Sequence, residues 1–469
     1  MRSALFYCFA AFVLLAPLSG LGGAALALPA LQIAAVGFLV AIVARQDVPV
    51  ALPRALLVGL GILVLYPLVQ LVPLPDALWR AIPGHEPYVV VLDRFARSAS
   101  SWAWRAISIV PAATERGWLA LLPPLACLLV VLRLDPRQLR TLLLAMVALA
   151  GVEALLGIVQ ALGGDDAASG LRLDRVRSVA VGTLADGNQL AAMLAMSLPV
   201  AVGWLAYTVR HGRHLRMSRP RQSSLPRLSW QRAVVVIAAA LMLACLLYTR
   251  SRVGVGVALV GFACSTVVLT HLRTRNTGAW RFAPYLIGAG ILLATIVAIS
   301  PILGRLEPPE LTAVAAGREE LSIATLQAAA DFLPFGSGLS TFADVFPRYQ
   351  GGKFGGQVPH AGNDYLQALM ELGMAAPAIV ALLLSAFVAR MIALLRVEGS
   401  SSLTLLQLGA GMGMVPMILY ATFDPALHAP AIAMWFATLA GALFHRGGDS
   451  TGHGDTPAPP TGTNAGGEA

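Results

Sequence analysis

The sequence predicts an all-α, polytopic integral membrane protein with about twelve transmembrane helices and a large outward-facing loop between the ninth and tenth. Three observations predict it. Of the 469 residues, 57% are hydrophobic and only 12% charged, with a mean hydropathy of +0.73, whereas a soluble domain carries about 25% charged residues. Apolar runs of roughly 20 residues, long enough to cross a hydrocarbon core, recur along the chain. The basic residues gather in short segments between those runs, as the positive-inside bias requires. The same distribution argues against a nucleic-acid partner despite the net charge of +9. Membrane lipid is the expected surrounding.

In chain order the apolar runs lie near 4–20, 24–44, 55–73, 117–132, 139–161, 188–209, 233–249, 253–270, 282–302, 364–394, 403–421 and 430–445. The first, with Arg2 before it and Ala-Leu-Ala at 25–27 after it, imitates a signal peptide. The apolar pattern resumes at once, so an uncleaved first helix is expected. RLDPRQLR separates spans four and five, and span five carries Glu153, the one acid deep in an apolar run. Such an acid is either functional or a hydrogen-bond partner between helices. Spans six and seven are joined by 210–232, which holds seven arginines and no acid. Spans seven and eight meet at a tight turn, TRSRVGVGV, and HLRTRNTGAWR leads into span nine.

With the N-terminus inside, the connections 45–54, 133–138, 210–232, 271–281 and 395–402 face the cytoplasm, as does the C-terminus. Three segments then face outward: 74–116, 162–187 and 303–363. Within the last, 317–333 reads as an alanine-rich helix ended by Pro334, followed by the glycine-broken FGSGLSTF. A loop of this length is usually structured or functional. Residues 1–446 read as one membrane domain, and the Gly/Pro/Thr-rich tail 447–469 as disordered. There is no internal repeat. Cys8, Cys127, Cys245 and Cys264 all fall in apolar runs, which gives neither a disulfide framework nor zinc spacing.

Polar chemistry collects on the outward side. VPHAGNDYLQALMELGMAA (358–376) places His360 just before a helix, with Asn363, Gln367 and Glu371 at i, i+4 and i+8 on one face and Asp364 beside them. An imidazole with a pKa near 6.5 can accept a proton at neutral pH. The bland alternative is a helix cap and a solvated face. Arg250 and Arg252 flank Ser251 in the tight turn and could clamp an anion or snorkel to the interface. Arg172, Arg175 and Arg177 form a cluster before Asn188 that runs against the charge bias, and Arg318 adds a cation on the same side. Ion pairs with Asp165, Asp166 or Asp174 are the plainer reading of that cluster. His85 and His428 also lie outside, without polar company in sequence. No P-loop and no Asp-x-Asp or Cys/His cluster appears, so neither cofactor nor metal is expected. Several arginines, one histidine and no metal suit a phosphate-bearing substrate presented from the membrane, attacked by a hydroxyl.

Five segments in order resemble the O-antigen ligase and polymerase superfamily: AISIVPAATERGWLALL, GTLADGNQLAAMLAMSLPV, LLYTRSRVGVGVALVGF, GREELSIATLQAAADFLPFGSGLSTF and HAGNDYLQALMELGMAA. Together they span roughly 105–380. Val253 stands where that family usually has glycine. Gly362 stands where many members have histidine, with His360 two residues earlier. The resemblance implies a membrane glycosyltransferase that takes a glycan from undecaprenyl diphosphate and needs no metal. It implies that Arg252 and Arg318 bind the diphosphate, that Arg177 assists, and that His360 is the general base; Arg250, from its place in the tight turn, is expected as a further diphosphate ligand. Asn363, Asp364, Gln367, Glu371 and Asn188 would support them. The expected setting is the periplasmic face of a bacterial inner membrane, with lipid A-core or another surface glycan or protein as acceptor. A polymerase joining repeat units shares these motifs. A secondary transporter or flippase remains the rival from another class, and would call for paired broken helices and ionisable groups near mid-membrane.

Overall fold

The computed structural model describes residues 3–20, 26–44, 52–95, 104–163, 179–218, 225–271, 308–350, 356–396 and 402–446. The expected ninth span (282–302), the Arg172–Arg177 cluster and the tail 447–469 lie outside the described residues. The described helices are α1 (Ser3–Leu14), α2 (Ala27–Ala44), α3 (Arg54–Gln70), α4 (Asp76–Arg80), α5 (Glu86–Phe95), α6 (Pro111–Ala120), α7 (Leu122–Val131), α8 (Pro136–Leu162) and α9 (Gly187–Ser218). They continue with α10 (Leu225–Tyr248), α11 (Arg252–His271), α12 (Pro308–Asp331), α13 (Phe342–Val345), α14 (Asp364–Leu372), α15 (Ala375–Arg396), α16 (Ser402–Tyr420) and α17 (Pro430–Phe444). A two-residue ribbon pairs β1 (Pro73–Leu74) with β2 (Arg105–Ala106) in antiparallel register. Among the described residues nine helical segments are long and apolar enough to cross a membrane, and α3 and α17 are shorter apolar helices.

Burial separates the centre of the bundle from its lipid-facing rim. The span 187–208 of α9 is 94% buried and that of α16 is 78% buried, against 6% for α2 and 22% for α15. α9 is therefore the central mast, packed along α16 and α11. Small residues permit this approach, as is common where helices associate in lipid. A Cβ on Gly203 would fall 2.7 Å from the Cα of Gly409 and 2.9 Å from the carbonyl oxygen of Leu405, both backbone atoms that cannot yield. Gly203→Val is therefore expected to destabilise the bundle by about 1–3 kcal/mol, read as a lower melting temperature in detergent. Gly256→Val on α11, where nothing lies within 4 Å of the added carbon, should leave the melting temperature nearly unchanged.

Two expected elements differ in outline. The tenth apolar run is two helices, because Gly373 adopts φ +56° and the next amide, Met374 N, donates to Pro334 O (2.9 Å). A side chain at Gly373 would meet Pro334 O at 2.1 Å, so the break belongs to that glycine. The outward helix read as 317–333 starts earlier, at Pro308. Its C-terminal half, with α13 and the approach to α14, builds a second small core from Ala328, Phe332, Phe342, Phe346, Ala361 and Met370. That core rests on the bundle and fixes where α14 begins.

Candidate functional site

Three helix starts are tied to the end of α16. Asp186 caps α9 by accepting from Gln189 N (2.8 Å). Ser251 caps α11 by accepting from Gly254 N (3.2 Å). Asn363 caps α14, its Oδ1 accepting from Tyr365 N and Leu366 N (3.0 and 3.1 Å). Each start is then held to the segment 420–424. The Tyr420 hydroxyl is 3.0 Å from Ser251 Oγ, Asn188 Nδ2 donates to Asp424 Oδ2 (2.8 Å), and Asp364 N donates to Ala421 O (2.8 Å). The positive ends of three helix dipoles thus meet at one place, which favours an anion.

Glu371 is the inner post of this end of the molecule. Its buried carboxylate accepts from Ser340 N (2.7 Å), Phe342 N (3.2 Å) and Gln367 Nε2 (2.9 Å). Burial raises its pKa above the usual carboxylate range, and those three bonds oppose the shift only in part. Gln70, buried at the end of α3, donates to Phe335 O and Glu371 O and accepts from Leu339 N. The FGSGLSTF segment is in this way fastened to α14 on one side and α3 on the other. Glu371 and Asn363 are accordingly occupied in building the site.

Gln367 reaches the other way. Its Oε1 accepts from Ala361 N (3.1 Å) while Nε2 lies 2.9 Å from Glu371 Oε1 and 3.1 Å from His428 Nε2. The opposite ring nitrogen of His428, Nδ1, is 3.0 Å from Asp364 Oδ1, and the His428 side chain keeps 30% of its surface open. The rings of His360 and His428 lie 4.4 Å apart, centroid to centroid. Burial, and next the charge on His428, push the His360 pKa below that of an ordinary histidine, Gln367 and Asp364 opposing. The His428 pKa is raised: burial works against its charge, but the hydrogen bond and charge of Asp364, helped by Glu371, prevail. His360 is therefore neutral at neutral pH.

The cations stand around this cluster. Arg252 and Arg250 are exposed on either side of Ser251, and Arg250 holds a left-handed backbone, φ 56°. Non-glycine residues in that region cost of order 1–3 kcal/mol and cluster at functional sites. Arg318, exposed on α12, faces Asp424 closely enough to lower its pKa. Burial first, then Asp186 and Asp364, nevertheless push Asp424 up to about 7. At neutral pH that carboxyl is therefore only partly charged. Arg177 lies outside the described residues.

Other sequence candidates have local structural work. Glu153 accepts from Thr183 N (2.8 Å) and Thr183 Oγ1 (2.6 Å), and Gln160 Oε1 accepts from Val181 N and Gly182 N. Together they hold the Gly-Thr turn that leads into α9. His85 is buried, stacked on Trp79 at 4.5 Å, with Nδ1 2.9 Å from Trp79 O. Gly362 takes φ +69°, a conformation that a histidine at that position would adopt only with strain. Among the described residues no group of three or more His, Cys, Asp or Glu side chains could hold a metal ion. Asp424 escaped the sequence reading, and His428 was placed outside without a role. The only sequence signal for them is their spacing of four around Pro425 in the last short outward connection.

Fold and site together define a polytopic α-helical membrane protein with an imidazole pair and exposed arginines at one end of its bundle. Residues 237–383 match the sequence model of a family described as O-antigen ligase. The matched stretch runs from within α10 to within α15. That segment includes Arg250, Arg252, Arg318, His360 and all of α14, whereas Asn188, Asp424 and His428 lie outside it. No curated protein matches the chain.

Proposed function

We propose that this protein transfers a glycan from undecaprenyl diphosphate to an acceptor hydroxyl at the periplasmic face of a bacterial inner membrane, as a ligase. Both termini are then cytoplasmic. The observation that carries this reading is the half-buried His360 just before α14, whose start is held to the same segment 420–424 as the start of α11, which bears Arg252. In the reaction, the acceptor oxygen attacks the anomeric carbon while its proton passes to the His360 ring. The bond from that carbon to the diphosphate breaks, and its electron pair goes to the leaving phosphate oxygen. Arg252 and Arg318, with Arg250 and Arg177 assisting, meet the developing charge, and the three helix starts add their dipoles. Asn188, Asn363, Asp364, Gln367 and Glu371 position these groups. The donor arrives activated, so the step needs no nucleotide.

The test is a gel of surface glycans and lipid-linked intermediates from cells lacking the protein. Long polymer left on undecaprenyl diphosphate, with none on lipid A-core or another acceptor, is the expected result. Single repeat units reaching the acceptor without further growth would instead mean a polymerase. An unchanged pattern would overturn transfer altogether.

A further inference from the structure

We infer that His428 is a positioning residue for His360, acting through a chain of side-chain contacts that runs Asp364–His428–Gln367–Ala361. This rests on the role proposed for His360, and it concerns a residue outside the matched family segment. The orientation of the Gln367 amide is settled by its neighbours. Oε1 must be the oxygen, because it accepts from Ala361 N (3.1 Å), and Nε2 then donates to Glu371 Oε1 (2.9 Å). Gln367 Nε2 also lies 3.1 Å from His428 Nε2, which accepts its second hydrogen only while the His428 ring is neutral. The other ring nitrogen, Nδ1, lies 3.0 Å from Asp364 Oδ1 in an ion-pair contact. A carboxylate that fixes the tautomer and tilt of an imidazole, which in turn fixes a reacting neighbour, follows the general logic of oriented acid–base groups.

Two consequences place His360. The Gln367 amide pins the backbone of Ala361, the residue next to His360, and the His428 ring forms a wall 4.4 Å from the His360 ring. No hydrogen bond among the described residues holds His360 Nδ1, which is buried. The ring is therefore placed by its backbone, by Gln367 and by the His428 wall. The chain also spans elements far apart in sequence: His428 belongs to the connection before α17, and Asp364 and Gln367 to α14. Asp364 N donating to Ala421 O (2.8 Å) closes the loop between the two.

The experiment uses membranes from cells that carry the full chain and contain donor and acceptor together. The rate of chain-dependent loss of diphosphate-linked glycan is normalised to folded protein. His428→Ala should lower kcat by about 10- to 100-fold, as when a group orienting a reactive side chain is removed, with donor KM little changed. His428→Gln can donate to Asp364 and accept from Gln367, and should recover most of that loss. His428→Phe keeps the ring and its packing but neither bond, and should not. In a His360→Ala background, His428→Ala should cost nothing more, since both act through one group. Recovery by phenylalanine rather than glutamine, or additive losses, would overturn the inference while leaving transfer intact. Full activity in His360→Ala alone would instead remove the base on which it rests.

Discussion

Replacing His360 by alanine is expected to lower glycan transfer by about 10²–10⁴-fold, the range of a positioned general base, or about 3–5 kcal/mol of barrier. The protein should still insert and melt normally, because the His360 ring donates and accepts little that the fold depends on. The pH profile carries a second signature. A base must be unprotonated to act, so the rate should rise as pH passes through the His360 pKa. Burial and the neighbouring His428 lower that pKa, so the acid limb should lie below the range of an ordinary histidine. An acid limb at or above that range, or transfer by the alanine variant within a few-fold of the native rate, would remove His360 from the chemistry. In that case His428, with its carboxylate partner, is the imidazole to test next.

The parts of this architecture that were legible in sequence are those written locally. Long apolar runs and arginine-rich connections announce the helices, and HAGND announces a helix start whose cap, Asn363, follows from residue type. The break at Gly373 was hidden because one glycine in an apolar run carries no signal of its own. What makes it a corner is Pro334 O, some forty residues earlier. Glu371 stood out as polar, but its task as a buried anchor for Ser340 N and Phe342 N depends on the packing of α13. His428 was hidden most deeply. Its neighbours in sequence are Leu427 and Ala429, and its polar company, Asp364 and Gln367, comes from α14. The tertiary fold, rather than any motif, makes the pair of imidazoles.

Arg252→Ala is the second large loss expected, about 10²–10³-fold in kcat, the cost of removing one fixed donor from developing charge. The side chain is exposed at the first residue of α11, one position after the Ser251 cap, so its loss leaves no buried group without a partner and stability should hold. Charge alone is not the expected contribution. A guanidinium offers a rigid fork to phosphate oxygens, whereas an ammonium is a flexible point charge. Arg252→Lys should therefore recover less than half of the lost barrier stabilisation. Arg318→Ala is the informative comparison, because Arg318 also faces Asp424, pushed up to about 7. Removing that cation should raise the Asp424 pKa further and make the carboxyl more fully neutral near pH 7. A defect of Arg318→Ala that arises from lost phosphate contact persists at every pH, and Asp424→Asn does not relieve it. A defect that vanishes in Arg318→Ala with Asp424→Asn would mean that Arg318 serves the carboxylate and that Arg252 meets the diphosphate without it.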